Sequence, residues 1–358
     1  MTVEKTLTSQ KNIAEAFSSF HKRLKKALSS WTSVGLFTLL FIFIGIGALF
    51  YTVMYEKREG EIDFETGQSI TTYWRTWEEV TRPATLIDYW FDPIAKIFLA
   101  IGIPSVGYAI QITTRNRIAS PSTLGYTPAA TLAFFANLAI NKPNVPWTYL
   151  IGFGIALCIM AINGAINAKR KTEGSDYRPV LVGFAIAVVI TAIAAVLVII
   201  FPTTVEPSAI FSGSFSIKGN WYFLAASGTM IIVSVIGLFA MLPQLKIMQR
   251  DFLLAKSLGI RINTIYWVVS VIAMIMTVCS VVISHPIMLL GLIIPNIVRS
   301  VFNKHTPGFV IAMSMVFAFA LLEVSLLLLK LYKFGPNFLI SIISAIVLIA
   351  ILKVTKIR

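Results

Sequence analysis

The residue types that could do covalent or metal chemistry are scattered through this chain. His21, His285 and His305 lie far apart and form no ligand spacing, and Cys158 and Cys279 each sit inside an apolar run, where a small core residue is the simplest reading. No phosphate-cradling glycine loop, HExxH helix or nucleophile elbow is present, so the chain itself is expected to hydrolyse nothing and to hold no metal or cofactor. Its unusual stretches are polar and proline-bearing breaks in apolar surroundings. "PIMLLGLIIPNIVR" (286–299) places Pro295 and Asn296 inside an apolar run and closes on Arg299. "QITTRNRIASPSTLGYTPAA" (111–130) holds Arg115, Arg117, Pro121 and Gly125 between two apolar runs. "PQLKIMQRDFLLAKSLGIRINT" (243–264) is too long and too patterned for a plain turn. The chemistry on offer is non-covalent: backbone that must be satisfied by protein or water, and charges at the ends of helices.

The elements that must position these breaks span a membrane. Of 358 residues 57% are hydrophobic and 13% charged, and mean hydropathy is +0.81, whereas soluble domains are about 25% charged. Apolar runs occur at 33–54, 94–113, 122–140, 148–168, 180–201, 221–242, 265–284, 286–302, 308–329 and 336–353. A span takes about 20 residues. The fold class expected is therefore all-α, a polytopic membrane protein of about ten transmembrane helices. The net charge of +14 does not point to nucleic acid. With the N-terminus inside, 21 of the 30 basic residues fall on the inner side, which places both termini in the cytoplasm. The arm 1–32, with "HKRLKK" at 21–26, reads as a basic segment on the lipid surface rather than a cleaved leader.

Two connections are long. The outer loop 55–93 is acidic and aromatic, carrying Glu56, Glu59, Glu61, Asp63, Glu65, Glu78, Glu79, Asp88 and Asp92 beside Tyr73, Trp74, Trp77, Tyr89 and Trp90. In the inner loop, 247–258 alternates charged and apolar residues at helical spacing and Gly259 suits a helix stop. That predicts a short amphipathic helix, either a surface a motor domain could push on or an interfacial helix resting on lipid. Residues 111–130 read as a helical hairpin turn or as the irregular backbone of a gate.

Together these stretches resemble the permease subunits of type II ABC importers, the iron–siderophore, haem and cobalamin group. "RDFLLAKSLGIRI" keeps Ala255, Leu258 and Gly259 of that family's Leu-Gly-x-x-x-Ala-x-x-Leu-Gly, with Asp251 where an acid is usual. "HPIMLLGLIIPNIVR" agrees with its proline-rich segment at Pro286, Ile287, Gly291, Leu292, Ile293, Pro295, Ile297 and Arg299, and departs at His285 and Asn296. "NRIASP" matches its Asn-Pro-Leu-Ala-x-Pro turn, with Arg117 for the first proline, and "FSGSFSIKGNW" matches around Gly213, Ser214 and Trp221. The four motifs run in order over residues 94–354, which would be the permease core, after a first span at 33–54.

The resemblance implies a bacterial cell-membrane permease working as a homo- or heterodimer with two cytoplasmic ATPases, which bind ATP and Mg, and with an extracellular substrate-binding protein or lipoprotein. It implies import of a ferric siderophore or haem, with cobalamin as the family's alternative cargo. An ion-coupled secondary transporter is the rival from another class, disfavoured because the spans offer Glu323, Lys96 and Lys330 but no acidic pair. By resemblance Asp251, Ala255, Leu258 and Gly259 couple to the ATPase, and Asn116, Ile118 and Ser120 form an inner gate. Gly213, Ser214, Gly291, Pro295 and Arg299 belong to the pathway motifs, with Pro295 ending a helix inside protein and Arg299 at the cytoplasmic boundary or snorkelling to headgroups. The outer arginines usual in the family are replaced: their positions fall at Tyr89, Asp92 and Leu327. Docking of the binding protein is therefore expected to use a different surface on the 55–93 loop, including Arg75, Tyr89 and Asp92.

Overall fold

The computed structural model describes residues 31–56, 61–62, 69–70, 73–83, 85–139, 145–166, 178–200, 221–284, 286–287, 289–302, 304–332 and 338–343. Gly213, Ser214 and His285, and all but the last two residues of the arm 1–32, lie outside the described residues.

The chain is built of helices: α1 (Trp31–Met54), α2 (Trp77–Thr81), α3 (Leu86–Thr113), α4 (Tyr126–Ala139), α5 (Val145–Ile166), α6 (Arg178–Ile200), α7 (Trp221–Ala240), α8 (Leu242–Arg250), α9 (Phe252–Ser257), α10 (Ile262–Ser284), α11 (Leu290–Val301) and α12 (Pro307–Tyr332). A further helical stretch covers 338–343. Among the described residues six helices, α1, α3, α6, α7, α10 and α12, are long and apolar enough to cross a membrane. The ten expected spans map in order onto α1, α3 to α7, α10 to α12 and the 338–343 stretch. The strands among the described residues are four two-residue segments: β1 (Tyr55–Glu56), β2 (Glu61–Ile62), β3 (Ser69–Ile70) and β4 (Tyr73–Trp74), paired antiparallel as β1 with β4 and β2 with β3. The β1–β4 pair, with Tyr55 opposite Trp74, brings the chain back to the end of α1.

α3 is the axis of the bundle. It packs against α12, α10, α11 and α7, and from Leu99 to Thr113 it is buried almost continuously. It starts eight residues before the expected boundary at 94, running through Pro93 and Pro104. Proline forbids only its own N–H bond and crowds the preceding turn, so a packed helix can carry it. Tyr89 and Asp92, expected in the outer loop, therefore lie on α3, and Asp88 complements the positive end of the helix dipole in its first turn.

α11 has 12 residues, about 18 Å of helix, and cannot cross a hydrocarbon core of about 30 Å. It is a half-span, approached by buried, non-helical Pro286 and Ile287. Irregular backbone at membrane depth is tolerated when it is enclosed by protein. Pro295 does not end this helix as expected; it lies inside it, and the helix continues to Val301.

Candidate functional site

One end of the bundle is basic. It carries the turn 114–125 after α3, the α8–α9 pair, and the α11–α12 connection. The other end carries the acidic and aromatic 73–92 region.

At the basic end, α3 crosses α11 backbone to backbone. A Cβ on Gly107 would clash with the Gly291 carbonyl, and a Cβ on Gly291 would lie 2.9 Å from the Ile103 oxygen and 3.2 Å from Pro121 Cδ. Pro295, having no N–H, leaves that Gly291 carbonyl without its intrahelical donor, and the carbonyl sits against Gly107. Only glycine at both positions allows this approach. The pattern Gly291-x-x-x-Pro295 is thus a contact face.

One turn further along, side chains tie the two helices. Gln111 Nε2 donates to the Leu292 carbonyl at 3.2 Å, and Arg299 Nη2 donates to Gln111 Oε1 at 2.7 Å. Arg299 also donates to Asn296 Oδ1 and lies over the Tyr108 ring, 5.3 Å from its centre. Asn296 Nδ2 donates to the Arg117 carbonyl at 2.9 Å and to the Leu292 carbonyl at 2.7 Å. Arg299 is thus turned inward as the bracket of a polar network, rather than snorkelling. Asn296, where the family usually has His, supplies the link to the turn 114–125. Sequence reasoning quoted Gln111 without assigning it a role; a buried glutamine in an apolar run was the available signal.

The turn itself is a knot of short-range bonds. Asn116 Oδ1 accepts from the Ile118 N–H at 2.9 Å, an Asx turn. Thr123 Oγ1 accepts from the Ser120 N–H at 2.8 Å, and Ser120 Oγ accepts from the Thr123 N–H at 3.2 Å. Gly125 takes φ +90, and a Cβ on Gly183 of α6 would lie 2.5 Å from the Thr123 oxygen, so α6 also presses on the turn with bare backbone. The three expected gate residues are brought together here: Asn116 and Ser120 are buried and Ile118 is half-buried. The Asn116 Nδ2 amide, the Arg299 Nε and the Tyr108 hydroxyl are buried with no hydrogen-bond partner among the described residues. Bonds and contacts thus fix this turn at several points, while three buried polar groups nearby stay unsatisfied.

The inner loop forms two helices where one was expected. Asp251 takes extended angles (φ −158, ψ 131) and its side chain accepts from the Leu253 N–H at 2.7 Å, so it caps α9 and breaks the continuity with α8. Leu245, Met248, Phe252 and Ala255 nevertheless share one buried face. Ala255 is fully buried within the chain, so its side chain cannot be a point of direct contact with a partner. The exposed apolar side chains are Leu253, Leu254 and Leu258, at 69%, 45% and 60% exposure. α9 ends as its glycine predicts: Gly259 at φ +78 donates to the Lys256 carbonyl at 3.0 Å, and Ile260 donates to the Ala255 carbonyl at 3.0 Å. Nothing lies within 4 Å of where a Gly259 Cβ would point.

At the other end, Arg75 is buried. Its Nη1 donates to the Val53 carbonyl at 2.7 Å, its N–H donates to the Met54 carbonyl at 2.8 Å, and its guanidinium lies 4.0 Å above the half-buried Tyr89 ring. Lys330 donates to the Thr52 carbonyl. Cations thus satisfy the orphan carbonyls that end α1. Arg75, expected to dock a partner, is committed to this internal cap. Asp92 is half-buried beside Lys96, whose ammonium donates to Ser284 Oγ.

This is a multi-helix membrane bundle with a closely bonded turn at its basic end and a short helix of exposed leucines, α9, beside it. The FecCD transport family model matches residues 60–354, and the chain belongs to that family. Among curated relatives, the Fe(3+)-citrate import system permease protein YfmD of Bacillus subtilis is 24% identical over 253 residues, 70% of this chain and 74% of that one. The molybdate import system permease protein MolB of Haemophilus influenzae is 25% identical over 213 residues, 58% of this chain and 61% of that one. Among solved structures, an inward-facing metal-chelate type ABC transporter has a TM-score of 0.68 at 17% identity, covering 90% of this chain and 99% of that chain. PsaBC from Streptococcus pneumoniae, in complex with Fab, has a TM-score of 0.52 at 15% identity, covering 75% and 92%. The chain is an ABC transporter permease of the FecCD type, a multi-pass protein of the bacterial cell membrane rather than a catalytic enzyme.

Proposed function

We propose that this chain is the permease of an ATP-driven importer for an iron chelate, a ferric siderophore or haem. The basic end is cytoplasmic, as the distribution of Lys and Arg requires, and both termini lie there. Two such subunits, alike or paralogous, enclose the pathway. Two cytoplasmic ATPases bind ATP and Mg, and an extracellular binding protein delivers the cargo. The observation that carries the reading is the exposure of Leu253, Leu254 and Leu258 on a capped helix at the basic end. Exposed leucines flanked in sequence by the exposed cations Arg250, Lys256 and Arg261 suit a protein partner. Asn116, Ile118 and Ser120 then close the pathway on the cytoplasmic side, with Ile118 as the dry plug, and ATP binding biases which face is open.

The iron assignment leans on the ferric-citrate relative, and the molybdate relative supports a second reading, a metal oxyanion. Uptake of radiolabelled ferric citrate, a ferric hydroxamate, haem, cobalamin and molybdate should be compared in cells with and without the chain and its ATPase. Chain-dependent accumulation of an iron chelate is the expected result. Accumulation of molybdate alone overturns the iron reading, and uptake that persists without an ATPase overturns the ATP-driven one.

A further inference from the structure

α3 and α9 end in the same way. In each, the residue after the cap takes a left-handed conformation and two backbone bonds close the end. At α9 the left-handed residue is Gly259. At α3 it is Arg115, with φ 53: its N–H donates to the Ile112 carbonyl at 3.1 Å, and the Asn116 N–H donates to the Gln111 carbonyl at 3.2 Å. This position favours glycine because a Cβ there crowds the backbone. An arginine at such a place carries backbone strain, and its side chain makes a specific contact. The guanidinium lies over the ring of Phe252, 4.3 Å from its centre. Phe252 is the first residue of α9, buried, and fixed by the Asp251 cap beside it.

We infer that Arg115 and Phe252 form the strut through which movement of α9 reaches the turn 114–125. This rests on the proposed function, in which α9 meets the ATPase. Arg115 is a positioning residue: it touches neither cargo nor nucleotide. From it the path is short. Asn116 follows directly, its side chain fixes Ile118, and the Arg117 carbonyl is tied to Asn296 of α11. A second fastening, Gln249 Nε2 to the His305 carbonyl at 2.7 Å, holds α8 to the α11–α12 connection. A push on α9 therefore meets the Arg115 contact, which leads directly into the turn, beside the packing of α8 on α3 and α12.

Arg115→Gly separates this role from a structural one, because glycine suits the left-handed position and should leave thermal stability unchanged or raised. The variant is assembled with its ATPases and binding protein in proteoliposomes and followed by ferric citrate uptake and phosphate release. Spin labels at positions 118 and 36 report the turn with and without Mg-ATP, a readout that needs no cargo. Couplings between sites are typically worth ~5–150-fold, so uptake per ATP hydrolysed should fall about tenfold while hydrolysis persists. The nucleotide-dependent distance change at 118 should shrink with it. Phe252→Leu should reproduce the loss, Arg115→Lys should restore part of it, and the double variant should be no worse than either single one. An Arg115→Gly importer with undiminished uptake per ATP and an undiminished distance change overturns the strut. If the wild-type chain fails to assemble with an ATPase, the underlying reading fails instead.

Discussion

The two ends of this bundle give positive charge different partners. At the acidic end, Arg75 and Lys330 are turned onto the last carbonyls of α1, which they cap, and Lys96 of α3 bonds the Ser284 hydroxyl at the end of α10. At the basic end, Arg299 brackets α3 to α11 through a side-chain amide and Arg115 reaches from the turn to a ring on α9, so cations there meet side chains rather than terminal carbonyls. Bare backbone contacts at Gly107, Gly291 and Gly183 reinforce the basic end. On the proposed function the basic end is the working one, and the acidic end presents Trp74, Trp77, Glu78 and Asp88 at its surface.

Four substitutions test that contrast. The largest effect is expected at the glycine crossing: Gly107→Ala forces a methyl group into the Gly291 carbonyl and should cost about 3 kcal/mol or more, read as loss of monodisperse protein on detergent extraction. Survival of the variant at wild-type melting temperature would mean that the two helices are not locked at this point. Next, Arg299→Met leaves Gln111 and Asn296 without their charged donor and should cost about 2–3 kcal/mol. It should also impair uptake, which a cap would not do. At the other end, Arg75→Met removes one charged hydrogen bond and a ring contact, about 2 kcal/mol of stability, with uptake per ATP unchanged. A coupling defect there would erase the distinction between the ends. The smallest stability effect belongs to Gly259→Trp, where space is open and only the left-handed angle resists, about 1–2 kcal/mol. That variant should remain in the membrane and still uncouple hydrolysis from uptake, because the bulk would stand where α9 is proposed to meet the ATPase.

The outer surface offers a further measurement. Deleting residues 58–72 should alter binding-protein association and its salt dependence if the acidic loop docks the partner, since exposed charges set encounter more than depth of affinity. With Arg75 buried as a cap, the burden of that docking falls on the exposed acids and tryptophans.

Much of this was legible in the residues themselves. Mean hydropathy and the spacing of apolar runs specify a polytopic helical protein, because a bilayer dictates span length and forbids unsatisfied backbone. Gly259 announced the end of α9, since a left-handed stop selects glycine, and Asn116, Ile118 and Ser120 lay close together because they share one turn. What sequence alone could not decide depends on contacts between distant segments. Pro295 looked like a helix end, but whether a proline ends a helix depends on what the carbonyl it frees meets, here that of Gly291 against the bare backbone of Gly107, 184 residues before Gly291. Ala255 looked like a partner contact and Arg75 like a docking cation, yet packing turned both inward. Arg115 read only as a marker of the basic side. Its left-handed angle and its place over Phe252 arise from the approach of α9 to the end of α3, a meeting of residues 137 positions apart that no local pattern encodes.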